Sequence, residues 1–323
     1  MAANEDELWT HFKPLWHDFN AIGDGILLAG GYGLYLKQQW LLEQQDPVIV
    51  VPLEHWLDAT PRVTKDFDLV ICLDLIADET TNGRLLEALE NHGFKVAERP
   101  QGKRWQFVKE LGTDRRVLAE LHAQVPTAED DSLKTDRIRV KHKPSLGDDG
   151  VHGQLNPEAI GSHIQPFRFS VDEIEVVVPN AVTWSVMKLT AAEDRWLRSQ
   201  DLDQDVERRT FSRAQAMKHG HDVCRAVAMM SAGERDSALK VIGAIKDTPP
   251  FKRTVSIYKE FFADEESWAT EVLSDRWPGD DLAIIQSVLK STARKLLFVH
   301  GVRFAALLGI GGGSGGGKGK RSL

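Results

Sequence analysis

Cysteine is nearly missing from this chain: 323 residues hold only Cys72 and Cys224. Two thiols are too few for a disulfide framework or a zinc site, and both fall inside apolar patterns that suit buried free thiols. No apolar run approaches the roughly 20 residues needed to cross a bilayer, so no membrane association is expected. The start, Met1-Ala2-Ala3-Asn4-Glu5-Asp6-Glu7, has neither a basic head nor an apolar core, so no secretory leader is read there. Reduced thiols without a leader predict a cytoplasmic protein. An excess of positive charge is also lacking: 40 Lys and Arg face 48 Asp and Glu, for a net charge of −8. That argues against a non-specific nucleic-acid coat. Neither Gly23-x-Gly25 nor Gly31-x-Gly33 has the third glycine of a dinucleotide fingerprint. The run from Gly312 to Gly317-Lys318 continues with Gly319 instead of Ser or Thr, with no strand or helix pattern around it, so it is not a P-loop. No internal repeat is evident.

What is present is a soluble composition, 42% hydrophobic and 27% charged, with two textures. Leu8, Trp9, Phe12, Leu15, Trp16 and Phe19 repeat at helical spacing over residues 5–20. Ile26–Gly30 reads as a short buried strand and Tyr32–Gln44 as the helix after it. Residues 45–61, with three prolines, read as an irregular insertion or a short strand. Phe67–Leu73 is a strand, Thr81–Asn91 a helix closed by Gly93, and Phe94–Ala97, Lys103–Glu110 and Arg116–Gln124 are strands. Residues 126–165 predict loops with one or two short strands, and Phe167–Val178 alternates as strands. Past Pro179-Asn180 the pattern turns helical, with candidates at 181–198, 205–230, 233–246, 251–263, 265–274 and 280–306. The expected organisation is a domain over 1–179, a helical domain over 180–308 and a flexible Gly-rich tail over 309–323. Two basic clusters interrupt the acidic background. One holds Lys134, Arg137, Arg139, Lys141 and Lys143 against Asp136. The other holds Lys103, Arg104, Lys109, Arg115 and Arg116. Either is a local anionic-ligand groove or a set of solvated faces.

The chemistry concentrates in Arg62-Val63-Thr64-Lys65-Asp66-Phe67-Asp68-Leu69. On a strand, Asp66 and Asp68 share a face about 7 Å apart. Two carboxylates aimed at one spot repel each other unless a cation sits between them, and a divalent metal is the usual one. Upstream, the run Leu27-Leu28-Ala29 stops at Gly30-Gly31, and paired glycines after a strand allow a phosphate to approach the backbone. On Arg116–His122 the alternation puts Leu118, Glu120 and His122 on one face. If that strand lies beside the aspartates, Glu120 becomes the third carboxylate of a metal site. A metal site and a phosphate cradle together point to chemistry on a nucleoside triphosphate.

Gly30-Gly31-Tyr32-Gly33-Leu34 followed by Arg62-x-Thr64-Lys65-Asp66-x-Asp68-Leu69 resembles the Gly-Gly and Asp-x-Asp motifs of the polymerase-beta-type nucleotidyltransferase superfamily. Within it the chain is most similar to the AbiEii-like abortive-infection toxins. Met187-Lys188-Leu189 with Ala191-Ala192-Glu193-Asp194-Arg195 resembles that family's Lys-Leu-x-Ala…Arg helix, and Lys218-His219-Gly220-His221-Asp222 its later Lys-x-x-x-Asp motif. The resemblance implies an α+β fold: a mixed sheet flanked by helices, followed by an all-helical C-terminal domain. It implies Mg²⁺ or Mn²⁺ on Asp66, Asp68 and Glu120, with an NTP as substrate. Gly30, Gly31, Thr64, Lys65, Lys188 and Lys218 would bind the nucleotide, and Lys188 and Asp222 would join the acids in catalysis. The implied reaction moves an NMP to an acceptor hydroxyl, an RNA end such as tRNA, in a toxin–antitoxin or phage-defence setting with a cognate antitoxin. Two alternatives stay open. The acceptor is a partner protein or small molecule, or the fold is catalytically inactive and serves as a binding module.

Overall fold

The computed structural model describes residues 7–57, 66–97, 104–112, 115–262, 267–273, 277 and 279–294. Helix α1 (Glu7–Ile22) buries the apolar stripe Leu8, Trp9, Phe12, Leu15, Trp16 and Phe19. Strand β1 (Ile26–Leu28) leads into α2 (Gly30–Glu43). Next come β2 (Asp66–Ile71), the short α3 (Leu73–Ala77) and α4 (Glu79–Asn91), the last capped by Asp78, which accepts from the Thr81 amide. Strands β3 (Lys95–Val96), β4 (Gln106–Glu110), β5 (Arg116–Ala123), β6 (Leu133–Thr135), β7 (Arg139–His142) and β8 (Gly153–Leu155) complete an eight-stranded sheet with β1 and β2.

The sheet is mixed. Strand β5 is parallel to both β2 and β8, while the pairs β1–β2, β3–β4, β4–β5, β7–β8 and β6–β7 are antiparallel. The far edge of β5 is shared: β4 pairs Arg116 through Glu120, and β8 pairs His122 and Ala123. One face of β5 carries the buried Val117, Ala119, Leu121 and Ala123, and the other the half-exposed Leu118, Glu120 and His122. That alternation leaves one side of the sheet free for a site. A separate hairpin, β9 (Phe167–Val171) and β10 (Ile174–Val178), turns through Asp172 and Glu173, both at positive φ (48° and 67°) as a tight two-residue loop requires.

The C-terminal part is helical: α5 (Ala181–Gln200), α6 (Val206–Ala228), α7 (Ala232–Ile245), α8 (Pro249–Phe261), α9 (Trp268–Leu273) and α10 (Gly279–Arg294). The architecture is therefore α+β, a mixed sheet with flanking helices followed by helices, as expected. The two parts are joined by more than the chain. The Val50 and Val51 amides donate to the Met230 and Ala228 carbonyls at 3.1 Å each. The Lys37 ammonium, 1% exposed, meets Glu234 of α7 at 2.6 Å and lies 4.2 Å from the centre of the Phe167 ring. Glu234 also closes a capping box with Ser231.

Several local expectations are corrected. Strand β1 stops at Leu28, and Gly30-Gly31 form the first turn of α2, because the Gly33 amide already donates to the Ala29 carbonyl at 3.1 Å. Leu73 opens α3 instead of ending a strand, since β2 runs out of partner at the Ile26–Ile71 pair. Residues 126–165 contribute three strands, because the sheet extends past β5 through β8, β7 and β6. Over 45–57 there is only an isolated bridge from Ile49 to Ser231 and a single 3₁₀ turn at Leu53–His55. Residues 58–61 of that stretch, the end of the last predicted helix and the Gly-rich tail lie outside the described residues.

Candidate active site

The parallel pairing of β2 and β5 sets Asp66 beside Leu118, Asp68 beside Glu120 and Val70 beside His122. Gln106 of β4 stands on the other side of Glu120 and donates its amide to the Glu120 carboxylate. The row Asp68–Glu120–Gln106 therefore crosses three strands on the open face of the sheet. Ligand atoms of Asp68, Glu120 and His122 all lie within 4.8 Å of one another. Asp66 lies outside that set, one row away, though its charge reaches Glu120. Sequence reasoning placed His122 on this face without giving it a role, and Gln106 went unnoticed. The alternation along β5 is the signal for the first; only strand pairing identifies the second.

The glycine bend lies directly against this row. Gly30 has φ +64°, and a Cβ built there would run into the Asp68 carboxylate. The Ala29 amide donates to the Asp68 carbonyl at 2.8 Å. The start of α2, the positive end of its dipole, is thus fastened to the acidic row. Such a helix start binds phosphate.

The C-terminal helices bring basic side chains to the same place. Lys188 of α5 and His219 of α6 are both close enough to act on Asp68 electrostatically. Lys188 donates to Asp222 of α6 at 2.8 Å, with side-chain exposures of only 9% and 2%. Asp222 thus takes a bond from Lys188 across two helices. Lys218 sits half-buried one turn earlier on α6. Thr64 and Lys65 lie outside the described residues. His219 was visible in the Lys-His-Gly-His-Asp motif, but nothing in the spacing tied it to Asp68.

The electrostatics follow from the crowding. Burial and then the neighbouring Asp68 charge push the Glu120 carboxyl above its ordinary range, with Asp66 adding to the effect. Burial works upward on Asp68 too, but the hydrogen bond and charge of His122, at 3.2 Å, with Lys188 and His219 beyond, hold it below the usual carboxylate range. Burial opposes charge on His122, while its bond to Asp68 and the Glu120 charge more than compensate and raise it. An acidic row that lifts its own Glu120 is a row that a dication would relieve. The paired carboxylates of Asp68 and Glu120 suit Mg²⁺ or Mn²⁺. The residues present fit such an ion: Asp68 and Glu120 could hold it, with His122 in the same set and Asp66 one row away.

No protein-family model matches the chain, and no curated protein matches it. Among solved structures, it is similar to the antibiotic-resistance factor ANT(2'')-Ia, determined in solution, with 15% identity and a TM-score of 0.28 over 73% of this chain and 98% of that one. At that TM-score the likeness decides nothing about chemistry.

Proposed function

We propose that this protein is a metal-dependent nucleotidyltransferase that moves an NMP from an NTP to an acceptor hydroxyl and releases pyrophosphate. One observation carries the proposal: Asp68 and Glu120 stand in register on adjacent parallel strands, with the Asp68 carboxylate against Gly30 at the start of α2. Phosphate-binding backbone and acidic row meet at one point, as transfer of a phosphoryl-centred group requires. A dication held there would neutralise charge on the triphosphate and the departing pyrophosphate.

The chain's own residues supply the rest. The first-turn amide groups of α2, at Gly30 and Gly31, bind the triphosphate. Lys188, whose ammonium has three donors and gives one to Asp222, offers the others to phosphate oxygens. Asp222 holds Lys188 in place. Glu120 would either share the ion with Asp68 or, its carboxyl lifted by burial and by Asp68, take the proton of the acceptor hydroxyl. The hydroxyl oxygen then bonds to the α-phosphorus as the bond to the bridging oxygen of pyrophosphate breaks. Lys218 and the segment with Thr64 and Lys65 complete the nucleotide site in this proposal.

For the acceptor we propose an RNA end such as that of tRNA, in a toxin–antitoxin or phage-defence setting with a protein antitoxin. The resemblance of the Gly-Gly, Asp-x-Asp, Lys188 and Lys218–Asp222 motifs to the AbiEii-like toxins supports this. The test is incubation with labelled NTPs, Mg²⁺ and total RNA. Label should enter RNA and disappear in the Asp66→Ala/Asp68→Ala variant. Absence of label from RNA, protein and small acceptors alike, or label undiminished in the double variant, would reject the proposal.

A further inference from the structure

The acidic row does not end at β5. His122 pairs in register with Gln154 of β8, and Gln154 with Arg139 of β7. Register partners share a sheet face, and so do residues two apart on one strand. Arg139 and Lys141 therefore project from the side of the sheet that bears Asp68, Glu120 and His122. Lys141 is in turn directly opposite Lys134 of β6. Like charges directly opposite each other destabilise a strand pair, yet β6 and β7 hold two lysines that way.

Among the described residues no carboxylate pairs Lys134, Lys141 or Lys143, whereas Arg139 is tied to Asp136 at 2.5 Å. The three lysines, with Thr135 and Ser145, line an open hollow of ≈ 580 Å³. The field there is felt nearby. Burial first, and then the charges of Arg139, Lys141 and Arg104, drive His152 down to about 4. An edge strand often carries lysine to prevent self-pairing, but that task calls for neither an opposed pair nor a third lysine over a hollow.

We infer that Lys134, Lys141 and Lys143 form a track for the phosphodiester backbone of a single-stranded RNA whose reacting end lies at the acidic row. This rests on the nucleotidyltransferase reading of that row. Strands are about 4.8 Å apart, so β7 lies roughly 10 Å and β6 roughly 14 Å from β5. At about 3.4 Å per stacked nucleotide, the track meets phosphates about three to four nucleotides back from the end. Bases carry no part of the contact, so recognition here is indifferent to sequence.

The test measures binding of a fluorescein-labelled 12-nucleotide RNA by anisotropy, without NTP or metal, from 50 to 200 mM KCl, for the native protein and for Lys134→Gln/Lys141→Gln/Lys143→Gln. The native protein should bind with a steep salt dependence. The variant should bind at least ten-fold more weakly at 100 mM, with the slope of log K against log salt reduced by about 2. A two-nucleotide RNA should not distinguish the two proteins. Melting should not fall, because the substitutions relieve a repulsion; a lower melting temperature would show that the lysines serve the fold and would overturn the inference. Equal binding of the 12-mer by both proteins would overturn it as well. So would poly-L-glutamate displacing the RNA at matched charge concentration, the result expected of a face for an acidic protein. Because no nucleotide is transferred in this assay, failed transfer with lysine-dependent binding intact would reject the enzymatic proposal alone.

Discussion

Replacing Lys188 with methionine leaves the Asp222 carboxylate behind in a site where it is 2% exposed and has lost a partner at 2.8 Å. Removing one member of a buried pair costs about 3–5 kcal/mol, mostly through the stranded charge, whereas removing both is often neutral or stabilising. For a chain of this length each kcal/mol shifts melting by about 2 °C. Lys188→Met should therefore melt roughly 6–10 °C lower than the native protein. Lys188→Met/Asp222→Leu should recover most of that loss, giving a coupling energy of at least about 2 kcal/mol in the double-mutant cycle. Transfer of labelled nucleotide should behave differently. It should be lost in both variants, since the double variant restores packing but not the ammonium whose charge acts on Asp68. Urea titration and the transfer assay together separate the two roles. A double variant as unstable as the single would refute the stranded-charge account, and a double variant that regained activity would reduce Lys188 to a structural lysine.

Gly30→Ala should abolish transfer by at least about 100-fold, because a Cβ at φ +64° displaces Asp68 and misplacement of about 1 Å is enough for such a loss. Calorimetric Mn²⁺ binding should weaken with it. Gly33→Ala, whose Cβ would press on the Leu28 carbonyl and Trp184, should lower stability first, and a melting curve tells them apart. Lys37→Met should cost about 3 kcal/mol by removing the charge partner of Glu234, which is 8% exposed and keeps only its cap bond to Ser231; a loss below about 1 kcal/mol by urea titration would mean that this pair does not join the two parts. His152 and His163 are both pushed down to about 4 by burial, so below their unfolded value of 6.5 the unfolded chain binds more protons than the native one. Their stability contribution is complete above about pH 6.5 and is lost as pH falls toward 4, at up to about 1.4 kcal/mol per pH unit for each. His152→Gln should flatten the stability profile between pH 6.5 and 4, and an unchanged slope would contradict the assignment.

Much of this protein was set by local pattern. The stripe Leu8–Phe19 could form only a helix buried on one face, and the alternation from Val117 to Ala123 could form only a strand with one face toward the core. The same period-two rule puts Asp66 with Asp68 and Glu120 with His122 from the sequence alone, because side-chain direction on a strand depends on the backbone alone. Pairing is different. That β5 lies between β2 and β8, bringing Glu120 level with Asp68 and Arg139 level with His122, depends on which strands bury which faces, a matter of contacts distant in sequence. The capture of Asp222 by Lys188 across two helices is of the same kind, as is Gln106 reaching Glu120. The residue types of the site are a property of the chain, and their convergence on one face is a property of how the sheet and helices pack.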